Sequence, residues 1–149
     1  MEARVQSRAK CTLTMQVRRK GLLPIEGGAP GVVFTQFGEE WVADVLNGLA
    51  PGTQYIHWGT GAAVPSKGST NVSTPGTEAR VAAVRAEATA DKLQWTATIV
   101  ANGTKTITNA GLFKAGTLGV GDGIIIGDHT SQAVNSGDEI DYTITLEMT

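Results

Sequence analysis

From Cys11 to Val17 the chain alternates strictly: Cys11, Leu13, Met15 and Val17 are apolar, and Thr12, Thr14 and Gln16 between them are polar. Successive side chains of a strand point to opposite faces, so this alternation predicts a strand that buries one of them. The pattern then dissolves into a stretch holding Pro24, Gly27, Gly28, Pro30 and Gly31. That density of proline and glycine predicts an extended connector with little regular structure. Residues 1–33 are therefore read as an extended N-terminal arm and linker, and residues 34–149 as a single β-sandwich domain.

One segment changes period. Over residues 35–47, Phe37, Trp41, Val45 and Leu46, with Val42 beside them, fall at helical spacing and give one apolar face. Thr35 is the expected cap, Glu39 and Glu40 lie at the positive end of the helix dipole, and Asn47-Gly48 supplies the stop. After Gln54 the period returns to that of strands. "QYIHWG" predicts a short strand and "EARVAAVRAEATA" a longer, weaker one. "KLQWTATIVA" places Leu93, Trp95, Ala97 and Ile99 on one face, and Asn102-Gly103 predicts a hairpin turn into "TKTITNAGLFKAG". "GIIIGDHT" reads as a brief strand of a sandwich interior. The last segment turns Ile140, Tyr142, Ile144, Leu146 and Met148 inward and Asp141, Thr143, Thr145 and Glu147 outward. Short strands separated by turn signals predict a mainly β fold, an antiparallel sandwich or jelly roll with one short peripheral helix.

Composition agrees with that class. Of 149 residues, 41% are hydrophobic, 17% are charged and 19 are glycine, a balance closer to turn-rich β proteins than to helical ones. The length suits one domain. A lone cysteine, Cys11, excludes an intramolecular disulfide framework and any CxxC motif, and reads as a small apolar filler. No secretory signal pattern and no apolar run long enough to span a bilayer is visible, so a soluble protein made in the cytoplasm is expected.

Charge changes the picture more. The net charge of −2 conceals a split: residues 1–20 carry Arg4, Arg8, Lys10, Arg18, Arg19 and Lys20 against Glu2, a balance of +5, so the remainder stands at −7. A basic arm on an acidic body is expected. Stacking aromatics are absent from residues 1–33, which argues against nucleic acid as the partner. Alternating apolar and basic residues instead suit a segment that adds a strand to another protein's edge, with its charges meeting acidic groups. Those six basic residues are the candidate partner contacts. Removing residues 1–28 is accordingly expected to leave a folded body.

Candidate chemistry elsewhere is weak. Gly59-Thr60-Gly61 follows a strand, but a phosphate loop needs further glycines and a helix N-terminus behind them, and here a proline-containing coil follows. His57 shares a strand face with Tyr55 and reads as a half-buried or interfacial residue. Asp128 and His129 are adjacent on a strand, so they point to opposite faces and cannot easily share one ion. Asp138 and Glu139 read as turn residues, and Ser66, Ser131 and Ser136 lack a nucleophile elbow. No catalytic, metal-binding or cofactor-binding residue is assigned, and the chain is read as a non-enzyme.

The order of signals carries a resemblance. The helix "EEWVADVLNGL", the strand into "HWGTG", a polar loop, then "TEARV", "WTATI", "ITNAGLFKAG" and "VNSGDEIDYTITLEM" together resemble small structural proteins of tailed bacteriophages, above all capsid decoration or cement proteins of the jelly-roll type with an N-terminal arm. The likeness covers residues 35–149. Gly59, Thr60 and Gly61 match the turn, Glu78 and Arg80 the start of the next strand, Ala110, Gly111, Leu112 and Phe113 the central signature, and Ser136, Gly137 and Asp138 the final turn. The polar loop over residues 62–77 departs from the pattern and reads as an exposed tip or symmetry-axis loop. The resemblance implies a homotrimer on the outer surface of the virion head. There it would bind the major capsid protein, bridge its subunits and stabilise the shell against internal DNA pressure, without contacting nucleic acid or membrane. A phage tail, baseplate or fibre module is the alternative that the same sandwich could serve.

Overall fold

In the computed structural model, which describes residues 9–18, 25–28 and 31–148, the opening alternation builds strand β1 (Ala9–Arg18). Leu13, Met15 and Val17 are buried, with Cys11 half-buried beside them. Burial pushes the Cys11 thiol up to about 12, which keeps it protonated and unreactive. β1 lies inside the sandwich, hydrogen-bonded on one side to β10 (Glu139–Met148) and on the other to β2 (Ile25–Gly28). Over these residues the expectation of an arm is corrected. Three large side chains gain more by entering the core than an isolated strand could gain in solvent. The connector is corrected as well, since it contains β2 and β3 (Gly31–Phe34).

Thr35 starts helix α1 (Gln36–Leu46) as expected: its hydroxyl oxygen accepts from the Gly38 amide at 2.9 Å and donates to the Gly123 carbonyl at 2.5 Å. Trp41 is buried, and Phe37, Val42 and Val45 are partly so. Leu46 is 84% exposed, against expectation. It lies five residues beyond Trp41, about 140° round the helix, and so faces away from the core.

The remaining strands are β4 (Tyr55–Gly59), β5 (Val81–Ala82), β6 (Val84–Thr89), β7 (Lys92–Val100), β8 (Lys105–Phe113) and β9 (Gly123–Val134). They form two five-stranded antiparallel sheets, in the orders β2-β1-β10-β7-β6 and β3-β9-β8-β4-β5. Pairings nest along the chain, β1 with β10, β3 with β9, β4 with β8 and β6 with β7. The fold is an antiparallel β-sandwich with one short helix.

Two expected connections differ. "EARVAAVRAEATA" is not one strand: β5 belongs to the second sheet and β6 to the first, so the chain changes sheet at Ala83. Asn102-Gly103 joins β7 to β8, which lie in different sheets, so it is a crossover and not a hairpin turn. The cause lies just before it, where the Ala101 amide donates to the Asp138 carbonyl and keeps the end of β7 on β10, while a side chain captures the Asn102 amide.

Trp95, Ile99, Ile140, Tyr142 and Ile144 from the first sheet meet Ile56, Trp58, Ile107 and Leu112 from the second in the central core. Met148, expected inward, is half-exposed at the end of its strand. The second sheet is also covered on its other face, where Val72 from the loop after β4 closes over Phe113 and Ile126. A sheet buried on both faces needs apolar residues at consecutive positions. That is why "YIHWG" and "GIIIG" read as unbroken apolar runs.

Candidate functional site

Two of the six candidate basic residues lie within the described residues. Arg4, Arg8, Arg19 and Lys20 lie outside the described residues, while Lys10 and Arg18 sit near opposite ends of β1, about 27 Å apart by the rise of a strand. Arg18 is committed within the chain. Its guanidinium bonds Asp141 at 2.5 and 2.9 Å and lies 3.2 Å from Glu139, its cross-strand neighbour. The Asp141 hydrogen bond raises the Arg18 pKa above its ordinary value. Burial acts to raise the Asp141 carboxyl, but Arg18 and the Thr98 hydroxyl outweigh it and hold it below the usual range. Exposed pairs of this kind add little to stability. Lys10 is exposed opposite Glu147.

Gly59-Thr60-Gly61 binds the chain's own backbone. The Thr60 amide donates to the Thr74 carbonyl at 2.9 Å, the Gly61 amide to the Ser73 carbonyl at 3.0 Å, and Gly59 bridges Pro75. A Cβ on Gly59 would stand 2.2 Å from the Ser73 carbonyl oxygen, and one on Gly61 would stand 2.1 Å from Ser73 Oγ. Both glycines are there because Ser73 lies against them, by its backbone at Gly59 and by its hydroxyl at Gly61. The loop is therefore only half exposed. Residues 62–64 and 66–68 face solvent, but Val72, Gly76, Glu78 and Arg80 are buried.

Glu78 and Arg80 are the chemistry that sequence reasoning passed over as strand openers. Glu78 accepts from Trp58 Nε1 at 2.9 Å, from the Asn102 amide at 3.0 Å and from Lys105 Nζ. Burial acts to raise its carboxyl, but these bonds, led by Lys105, prevail and hold it below the usual range. Arg80 has a wholly buried side chain. Its Nη1 bonds Asp122 at 2.6 Å and the Ala115 carbonyl at 2.7 Å, its Nη2 bonds the Val120 carbonyl at 2.6 Å, and its guanidinium stacks 3.8 Å above the Phe113 ring. Asp122 in turn accepts from the Ala115 amide at 2.5 Å. Arg80 and Asp122 staple two loops onto the outer face of the second sheet, while Glu78 ties the first of them to Trp58 of the core. One signal was available in the sequence: Glu78 and Arg80 alternate with Thr77 and Ala79, a period of two whose inward members are charged.

Both histidines are buried, so the half-exposed reading of His57 is corrected. Its Nε2 lies 2.8 Å from the Glu78 carbonyl, which can only accept; the proton therefore sits on Nε2, and the buried Nδ1 is left as a bare lone pair. His129 has the opposite tautomer. Nδ1 donates to the Thr130 carbonyl at 2.9 Å, and Nε2 accepts from the Tyr142 hydroxyl at 3.1 Å. Burial depresses both imidazoles below 6.5, so both are neutral at pH 7. Asp138 is a turn residue that accepts from the Asn135 amide at 2.8 Å, beside Gly137 at φ +90°. Glu139 pairs with Arg18. Ser66 belongs to a small turn with Ser69, and Ser131 and Ser136 are exposed. Among the described residues no three His, Cys, Asp or Glu side chains are gathered to hold a metal ion.

The edge carrying β6 is open. All six of its residues are exposed. A shallow hollow of about 450 Å³ borders its start, with Ala82, Val84, Thr96 and Thr143 among its walls. A second, of about 360 Å³, borders its end, lined by Glu87, Leu93, Leu146 and Met148. In comparisons with known proteins, no family model, no curated protein and no solved structure matches this chain.

Proposed function

We propose that the chain is a non-enzymatic structural protein of a tailed-bacteriophage virion, a jelly-roll decoration protein that binds the outer surface of the head and bridges major capsid subunits. One observation carries the reading: several of the positions that hold the resemblance touch one another on the second sheet. Gly59 lies beside Asn109 next to the Ala110–Phe113 run, Glu78 holds Trp58 one residue before Gly59, and Arg80 stacks on Phe113.

The mechanism is adhesion. A shell that swells under packed DNA is loaded at the junctions between subunits, and a rigid body spanning a junction adds interface area there. Linked copies act together through effective concentration. Because β1 belongs to the sandwich and Arg18 is paired within the chain, the arm contacts of this reading fall to Arg4, Arg8, Arg19 and Lys20.

The direct trial is to add the purified protein to capsids that lack it and to follow co-sedimentation and DNA retention on heating. Saturable binding with improved retention supports decoration. Binding to tails alone would favour a tail, baseplate or fibre module instead. Removing residues 1–8 should weaken capsid binding and leave the fold intact, whereas removing residues 1–28 should abolish folding.

A further inference from the structure

We infer that β6 is a self-association edge, through which two copies of the chain pair antiparallel about a two-fold axis at Ala86. β6 ends the first sheet, and among the described strands only β7 pairs with it. Val84 is 69% exposed. Arg85 and Glu87 stand opposite Trp95 and Leu93, so they belong to the core-facing side of the sheet. They reach solvent because the second sheet offers on this side only the two residues of β5. Neither has an ion pair among the described residues, although they share a face two positions apart.

Charge fixes the register. With Ala86 opposite Ala86, each Arg85 meets Glu87 of the second copy, and the regular pairing ends there because Ala88 is the extra residue of a bulge between Glu87 and Thr89. Sliding by one position breaks the match of faces, and sliding by two sets Arg85 against Arg85 or Glu87 against Glu87. Inward-pointing charges ordinarily discourage edge pairing. Here they discourage every register but one. The pairing would join two first sheets into one continuous sheet.

This inference does not rest on the decoration reading, and it differs from the trimer that the resemblance implies. Analytical ultracentrifugation of the full chain over a wide concentration range tests it. The expected species is a dimer, weakened by about tenfold or more in Arg85→Glu and likewise in Glu87→Arg, since each change creates two like-charge contacts. The double variant Arg85→Glu/Glu87→Arg should recover affinity to within about threefold, which loss of folding could not produce. Ala86→Pro should give a monomer with an unchanged circular dichroism spectrum. A chain that stays monomeric, or a dimer or trimer indifferent to Arg85→Glu and Ala86→Pro, overturns the inference. Capsid binding by such a chain would leave the decoration reading standing.

Discussion

The two loops pinned on the second sheet and the strand that ends the first both carry an arginine and a carboxylate, and they use them oppositely. Arg80 and Asp122 are buried against each other, stacked on Phe113 and bonded to three backbone groups. Arg85 and Glu87, a few residues later, are exposed and without an ion pair among the described residues. In low dielectric a charge must be partnered, and although Arg80 Nε is buried without a hydrogen-bond partner both terminal nitrogens are bonded, so the first pair fixes one geometry of one chain. In water a charge is cheap, so the second pair remains open to a partner. The same residue types become scaffold or surface according to what covers them.

Variants should separate the two regions by size of effect. Arg80→Ala leaves Asp122 buried and uncompensated and should cost about 3–5 kcal/mol in urea unfolding. Replacing both members, as Arg80→Met with Asp122→Leu, should cost less than Arg80→Ala alone. An equal or larger cost would show that the pair itself, rather than the orphaned charge, supplies the stability. Gly59→Ala forces the Ser73 backbone away and should cost about 1–3 kcal/mol, where a neutral result would mean that the loop is not pressed onto the strand.

Acid should loosen the covered region next. His57 and His129 have folded values depressed below 6.5, so below that pH the unfolded chain takes up protons that the folded chain refuses. Stability is complete above 6.5 and falls as the pH drops through it. Glu78 and Asp141, held below 4.5 and 3.8, give up their contribution only in stronger acid. The urea midpoint should therefore be lower at about pH 5.5 than at about pH 7.5, and a flat profile would contradict neutral, buried imidazoles. Smallest of all, Arg85→Glu should change monomer stability by less than about 0.5 kcal/mol.

The same contrast explains what could be read from the sequence. β1, β7, β10 and the Thr35-capped helix were legible because each shows a clean period set by one buried face. Leu46 was misplaced because five residues along a helix is most of the way to its opposite side. The break at Ala83 was hidden, since a chain that changes sheet keeps an extended backbone and its alternation. Asn102-Gly103 has the composition of a hairpin turn, and only the tertiary bonds of Ala101 and Asn102 make it a crossover. The buried charges were missed because Glu78 and Arg80 look like solvent-facing residues until a partner 27 or 42 positions away, Lys105 or Asp122, completes them. The basic segment was read as one arm because a count of charge carries no distance, whereas β1 holds Lys10 and Arg18 apart.

The central proposal concerns location, and cryo-electron microscopy of phage particles mixed with the purified chain tests it most directly. Density for the sandwich in many symmetric copies on the outside of the head, seated across junctions of the major capsid protein, is the predicted result. A few copies confined to the tail, or none on the particle, would contradict it.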